Sequence, residues 1–166
     1  VLWDATANSA YKNDITVIGR DDKGTINQKQ SKSVNTTGLI AIALGNTVQS
    51  TNSANSNTFS ADKVFAAFGS NADPISWTNT SPPVGRQALE REWKIQETGT
   101  IGSVRVQVPD DGSAITTKLP AETGGTVYLL MDADGDFSSG ATSTTMSLVS
   151  TNWECTVDFN NSLPYF

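Results

Sequence analysis

Apolar and polar residues alternate with a period of two along much of this chain, the spacing of half-buried β-strands. Val104, Val106 and Val108 alternate with Arg105 and Gln107. Val127, Leu129 and Met131 repeat the pattern. So do Trp153, Cys155, Val157 and Phe159, set between Asn152, Glu154, Thr156 and Asp158. Across residues 89–96 one face carries Leu89, Arg91, Trp93 and Ile95, and the other Glu90, Glu92, Lys94 and Gln96. The runs Ile15 to Ile18, Leu39 to Leu44 and Val64 to Phe68 are more continuously apolar and read as deeper strands. Each falls short of an average helix of about 11–12 residues. Val1 to Trp3, Ile75 to Thr78 and Met146 to Val149 read as further short strands. About ten strands at this spacing predict an all-β fold, an antiparallel β-sandwich of jelly-roll-like form.

The connections are polar. Asn46 to Ser60 predicts a long loop, of a length unusual unless functional or mobile, the alternative being a helical turn near Ser60 to Lys63. Turns are expected at Ser81-Pro82-Pro83 and at Pro109 to Gly112. With no internal repeat, heptad or linker, residues 1–166 read as one module, excised or processed from a larger protein because the chain opens on Val1.

The net charge of −6 disfavours nucleic acid and anionic membrane surfaces as partners. No apolar run approaches the roughly 20 residues of a bilayer span. Ser, Thr and Asn supply 52 of 166 residues while only 17% are charged, a composition common in secreted bacterial β proteins. The single Cys155 cannot form an internal disulfide, and its strand neighbours predict a buried thiol. A link to another chain is the alternative.

One cluster resembles a site. Asp132, Asp134 and Asp136 alternate around Gly135 directly after the Val127 to Met131 strand. Carboxylates at that spacing can converge where the backbone turns, and hard oxygen ligands suit calcium. The loop is not an EF-hand: its glycine falls at the fourth place and Ser143 occupies the twelfth. The plainer alternative is a hairpin in which Asp and Gly serve as turn formers. Trp77, followed by Thr78, Asn79 and Thr80, is the candidate for stacking on a sugar ring, although a platform ordinarily needs more than one exposed aromatic. Arg20 to Gly24, followed by Asn27 to Gln30, forms a second polar cluster, read as a turn at Asp22 to Gly24 leading into a two-sided polar strand, with an Arg20–Asp21 surface pair; a second cation site or a rim meeting a neighbouring domain is the alternative.

Enzyme chemistry finds little support. With no histidine, Ser-His-Asp, Cys-His and His-ligated metal sites are excluded. Glu90 and Glu92 share a strand face beside Lys94 and read as solvated acids rather than a glycosidase pair. No glycine-rich phosphate loop opens a helix.

Four stretches together carry a family resemblance: residues 1–35, EWKIQETGTIGSVRVQVP, TVYLLMDADGDFSSGAT and NWECTVDFNN. In order and spacing the chain resembles a β-rich domain of unknown function found beside laminin-G or concanavalin-like lectin domains in large secreted Bacteroidota surface proteins. The resemblance implies an exported, adhesin-like parent and no catalytic residues, and it places the family's acidic loop at Asp132, Asp134 and Asp136. The expected function is therefore a non-enzymatic structural or adhesive module at the bacterial surface, stabilised by calcium. Its partners would be neighbouring domains, copies of itself, or surface glycans, without membrane insertion. The alternatives are a carbohydrate-binding module using Trp77, or a filament subunit whose terminal strands, Val1 to Trp3 and Leu163 to Phe166, pair with neighbours.

Overall fold

The computed structural model describes residues 2–35, 38–78, 83, 86–109 and 126–166. Thirteen strands form among them: β1 (Asn13–Asp21), β2 (Ile26–Gln28), β3 (Gln30–Lys32), β4 (Ala41–Leu44), β5 (Val64–Ser70), β6 (Trp77–Thr78) and β7 (Ala88–Leu89). The rest are β8 (Trp93–Thr98), β9 (Val104–Pro109), β10 (Tyr128–Met131), β11 (Thr142–Thr145), β12 (Ser147–Val149) and β13 (Asn152–Val157). The protein is all-β and antiparallel. One sheet has the order β2-β1-β5-β8 and another β12-β13-β9-β4-β3, while β6-β7 and β10-β11 are two-stranded ribbons.

The inward positions of alternating strands from both sheets meet in one core. Ile18, Ala66, Phe68, Trp93 and Ile95 come from the first sheet, and Ile42, Val104, Val106, Trp153, Cys155 and Val157 from the second. This is the sandwich that the alternation predicts. β5 is buried along its whole length. Its core face packs inward, and the residues around a 3-10 turn at Ser9–Tyr11 lie against its outer side. A side chain at Gly69 would stand 2.2 Å from the Tyr11 carbonyl oxygen, so glycine permits that close approach.

Pro164–Phe166 completes the first sheet. The N–H groups of Trp93 and Ile95 donate to the carbonyls of Phe166 and Pro164, both at 2.8 Å, and the Phe166 N–H returns to Trp93 at 2.9 Å. On the other side Asp132 and Tyr165 exchange both backbone bonds, at 3.0 and 3.2 Å. These three residues therefore stitch the β10-β11 ribbon to β8. Phe166 packs inward on Phe159, Trp93 and Phe68, at centroid distances of 4.8, 6.1 and 6.3 Å.

Several local expectations change. Leu2 and Trp3 lie in no strand, while Val1 and most of the two Pro-containing turns fall outside the described residues. Ser60 to Lys63 runs as bends with no helical turn. Arg20 pairs with Asp22 at 2.7 Å and not with Asp21, because adjacent strand residues point to opposite faces. Asn46 to Ser60 is a loop, but one latched by amides: Asn52 bonds the backbone of Lys29 and Asn27, and Asn55 and Asn57 both donate to the Leu44 carbonyl. Arg91, the polar residue on an apolar strand face, is buried and lies 3.7 Å from the Asp14 carboxylate. Asp14 occupies the bulged part of β1 with φ at +53°.

Candidate functional site

The acidic loop opens where β10 ends. Asp132 is buried, with its backbone fixed by Tyr165, whereas Asp134 and Asp136 are exposed. Each carboxylate uses one oxygen to organise the turn. Asp132 Oδ1 accepts the N–H groups of Asp134 and Gly135, both at 2.8 Å. Asp134 Oδ1 accepts the Asp136 N–H at 2.9 Å. Asp136 Oδ1 accepts the N–H and the hydroxyl of Ser138, at 3.1 and 2.5 Å. Three successive side chains thus bond the backbone two residues on, the turn-forming habit of aspartate.

Gly135 adopts φ of +89°, and the Tyr165 ring covers its α-carbon closely enough that a side chain would meet the ring at 3.3 Å. Phe137, next to the turn, is buried. Burial alone would raise the Asp132 pKa, but the N–H donors of Asp134 and Gly135, with a side-chain interaction from Asp134, outweigh it. The net shift is downward, so the loop favours an ionised carboxylate at its base.

The arrangement leaves the second oxygen of each aspartate outside these backbone bonds, a donor set that suits a hard cation. The three carboxylates do not gather into one pocket, and no group of three or more Cys, Asp or Glu close enough to hold an ion occurs among the described residues. Asp132 and Asp134 come together, while Asp136 turns to Ser138.

Trp77 sits in β6, half-buried and packed against the main core. Its indole nitrogen is buried and finds no hydrogen-bond partner among the described residues. The expected flanking Asn79 and Thr80 lie outside those residues. A shallow groove of about 370 Å³ crosses the second sheet beside Gln30, Lys32, Gln107 and Asn52. Its amides largely serve the fold: Gln30 exchanges two bonds with the Gln49 backbone, and Gln107 donates to Glu154. Cys155 is 3% exposed, and burial pushes its thiol pKa up to about 11 against the pull of Arg105. A buried, protonated thiol follows.

Two further groups escape a sequence reading. Tyr165 joins β8 to the acidic loop by bridging Lys94 and Asp132; its segment is legible as a terminal strand, but nothing local pairs it with Asp132. Glu97 continues the inward face of Trp93 and Ile95, and burial, with the Asp158 charge, raises its pKa to about 7. The alternation through residue 97 carries that signal.

The chain belongs to the family described as Domain of unknown function (DUF8202), which matches residues 1–162. No curated protein and no solved structure matches it.

Proposed function

We propose that this chain is a cohesive extracellular module, a structural or adhesive unit of a bacterial surface or filament-forming protein, with calcium held by the Asp132–Asp136 loop. The observation that carries the reading is the junction at Asp132. That residue ends β10, exchanges two backbone bonds with Tyr165 and opens the acidic loop. A cation bound through carboxylate oxygens of Asp132, Asp134 and Asp136 would tighten the joint between the ribbon and the main sheet. Closing three carboxylates around an ion requires Asp134 and Asp136, both exposed, to loosen the bonds they accept from Asp136 and Ser138.

The module works by cohesion and turns nothing over. Its apolar residues meet in one continuous core, and the chain contains no histidine for general base or metal chemistry. The export and surface setting rests on the sequence resemblance and on the hydroxyl- and amide-rich composition. Sugar stacking by Trp77 is the weaker reading, since its ring packs against the core.

Calcium binding to the native state alone stabilises by mass action, by about 2.7 kcal/mol at one hundred times the dissociation constant. Melting followed in calcium and in chelator should differ by several degrees, and Asp134→Ala should remove most of the difference. Identical melting in both, with no heat of calcium binding by calorimetry, would refute the cation claim.

A further inference from the structure

The groove on the second sheet follows from strand register. Lys32 of β3, Ala41 of β4, Gln107 of β9 and Glu154 of β13 stand opposite one another in one cross-strand row. Their neighbours Ile42, Val106 and Cys155 line the core, so this row faces outward. Ala41 puts only a methyl group between two long side chains, and the surface dips there. The dip is the groove of about 370 Å³, with Val48, Ser50 and Asn52 of the long loop also in its lining. Small-ligand sites span roughly 300–1,000 Å³.

The fold fixes these walls and spends only part of their hydrogen-bonding capacity. Asn52 is tied to the Lys29 N–H and the Asn27 carbonyl at 2.6 and 2.8 Å, and Gln30 to the Gln49 backbone at 2.7 and 2.9 Å. Gln107 donates its Nε2 to Glu154, which orients the amide and leaves Oε1 as an acceptor. That oxygen, the Ser50 hydroxyl and the Lys32 ammonium have no partner among the described residues. Lys32 is also the one charged side chain in the described lining, and Glu154, the acid in its row, is already paired with Arg105 at 2.8 Å. The groove is therefore a positive point on a chain of net charge −6.

A matching ligand supplies an anionic group for Lys32 and hydroxyl donors for an amide oxygen and a serine. It also lies along an open floor whose described lining holds no aromatic ring. An acidic peptide brings the charge but offers amides and apolar side chains where hydroxyls are wanted. A uronic-acid saccharide carries a carboxylate and hydroxyls on each ring, with C–H faces for Ala41 and Val48. We infer that the groove binds an acidic polysaccharide, with a carboxylate at Lys32 and ring hydroxyls at Gln107 Oε1 and Ser50. A glycan here presupposes the adhesive reading of the module and gives it a ligand class, at a site apart from Trp77 and from the acidic loop.

The test is calorimetric titration of the full chain, in chelator, with tetramers of galacturonic and of glucuronic acid. At least one should bind. Its methyl ester, which keeps the hydroxyls and loses the charge, should bind at least about tenfold more weakly, as should the acid to Lys32→Gln, the change expected when a charge-assisted hydrogen bond is lost. Lys23→Gln removes an equal charge from an exposed turn and should bind like the parent. Both lysines are exposed, so neither variant disturbs the core. No binding of either acid, equal binding of acid and ester, equal loss in Lys23→Gln, or equally tight binding of polyglutamate overturns the inference. Because calcium is absent throughout, failure here leaves the cation claim standing, and a flat calcium melting response leaves this site standing.

Discussion

Replacing Asp132 by Asn exchanges a charged acceptor for a neutral one of nearly the same shape. Asp132 is 3% exposed, and its Oδ1 accepts two backbone N–H groups at 2.8 Å. A hydrogen bond to a charged group contributes about 1.5–3 kcal/mol and a neutral one about 0.5–1.5, so two such bonds lose roughly 2 kcal/mol. For a domain of this size that lowers the melting temperature by roughly 4–8 °C. Burial opposes the charge, but the N–H donors prevail and the folded-state pKa lies below the ordinary carboxylate value. The stabilisation is therefore fully present above the unfolded pKa of about 3.9 and is lost as pH falls through the lower folded value. Urea unfolding of both proteins in chelator, from neutral pH to the acid limit of folding, reads this directly. The gap should be about 2 kcal/mol at pH 7 and shrink below about pH 4. A gap that stays constant with pH would mean that packing, not charge, holds the loop. One under about 0.5 kcal/mol at neutral pH would mean that these bonds do not hold it at all.

Three further outcomes are expected. Glu97, with its folded pKa raised to about 7, binds its proton more tightly folded than unfolded, so its contribution to stability falls as pH rises from about 4.5 to 7. Glu97→Gln should gain about 1–2 kcal/mol over the parent at pH 8, allowing for solvent screening, and nothing near pH 4; equal stability at both pH values would refute the inward placement. Phe166→Ala should cost about 3–5 kcal/mol in urea unfolding, since the ring is buried among three aromatics, whereas a loss under 1 kcal/mol would mean the strand is not docked. Cys155 should resist an aromatic disulfide reagent in the native protein at neutral pH and react after denaturation, and native labelling at a free-thiol rate would contradict its burial.

The strands that alternate are the ones legible in advance. Val104, Val106 and Val108 line the core as their spacing requires, and so do Trp153, Cys155 and Val157. Leu39 and Ile40 precede β4 as buried residues, and all of β4 and β5 is buried, as their continuous apolar runs imply. The polar stretch after the Asp22 to Gly24 turn, expected as one strand, forms two, β2 and β3, which apart from the exposed Ile26 are polar and pair with β1 and β4. Arg91 interrupts an apolar face in the sequence for a reason that lies elsewhere: its guanidinium reaches Asp14 and the carbonyls of Ala72 and Asp73. The acidic loop was visible as a cluster. Its habit of spending one oxygen per carboxylate on its own backbone was not, because φ and ψ decide which N–H groups lie within reach.

Period-two patterning alone determined the fold class and the buried faces, because a strand must send alternate side chains to opposite sides and water separates them by polarity. The same local rule placed an acidic turn after β10. Tertiary structure decided everything that joins distant residues. Tyr165 meets Asp132 and Lys94, Asn161 clamps Glu97, and Phe166 fills the space beside Phe68 and Trp93. Backbone hydrogen bonds are chemically identical at every residue, so no local pattern records which edge a short strand will choose. That choice is made by the shape and apolar area of the hole left when all the other strands are in place.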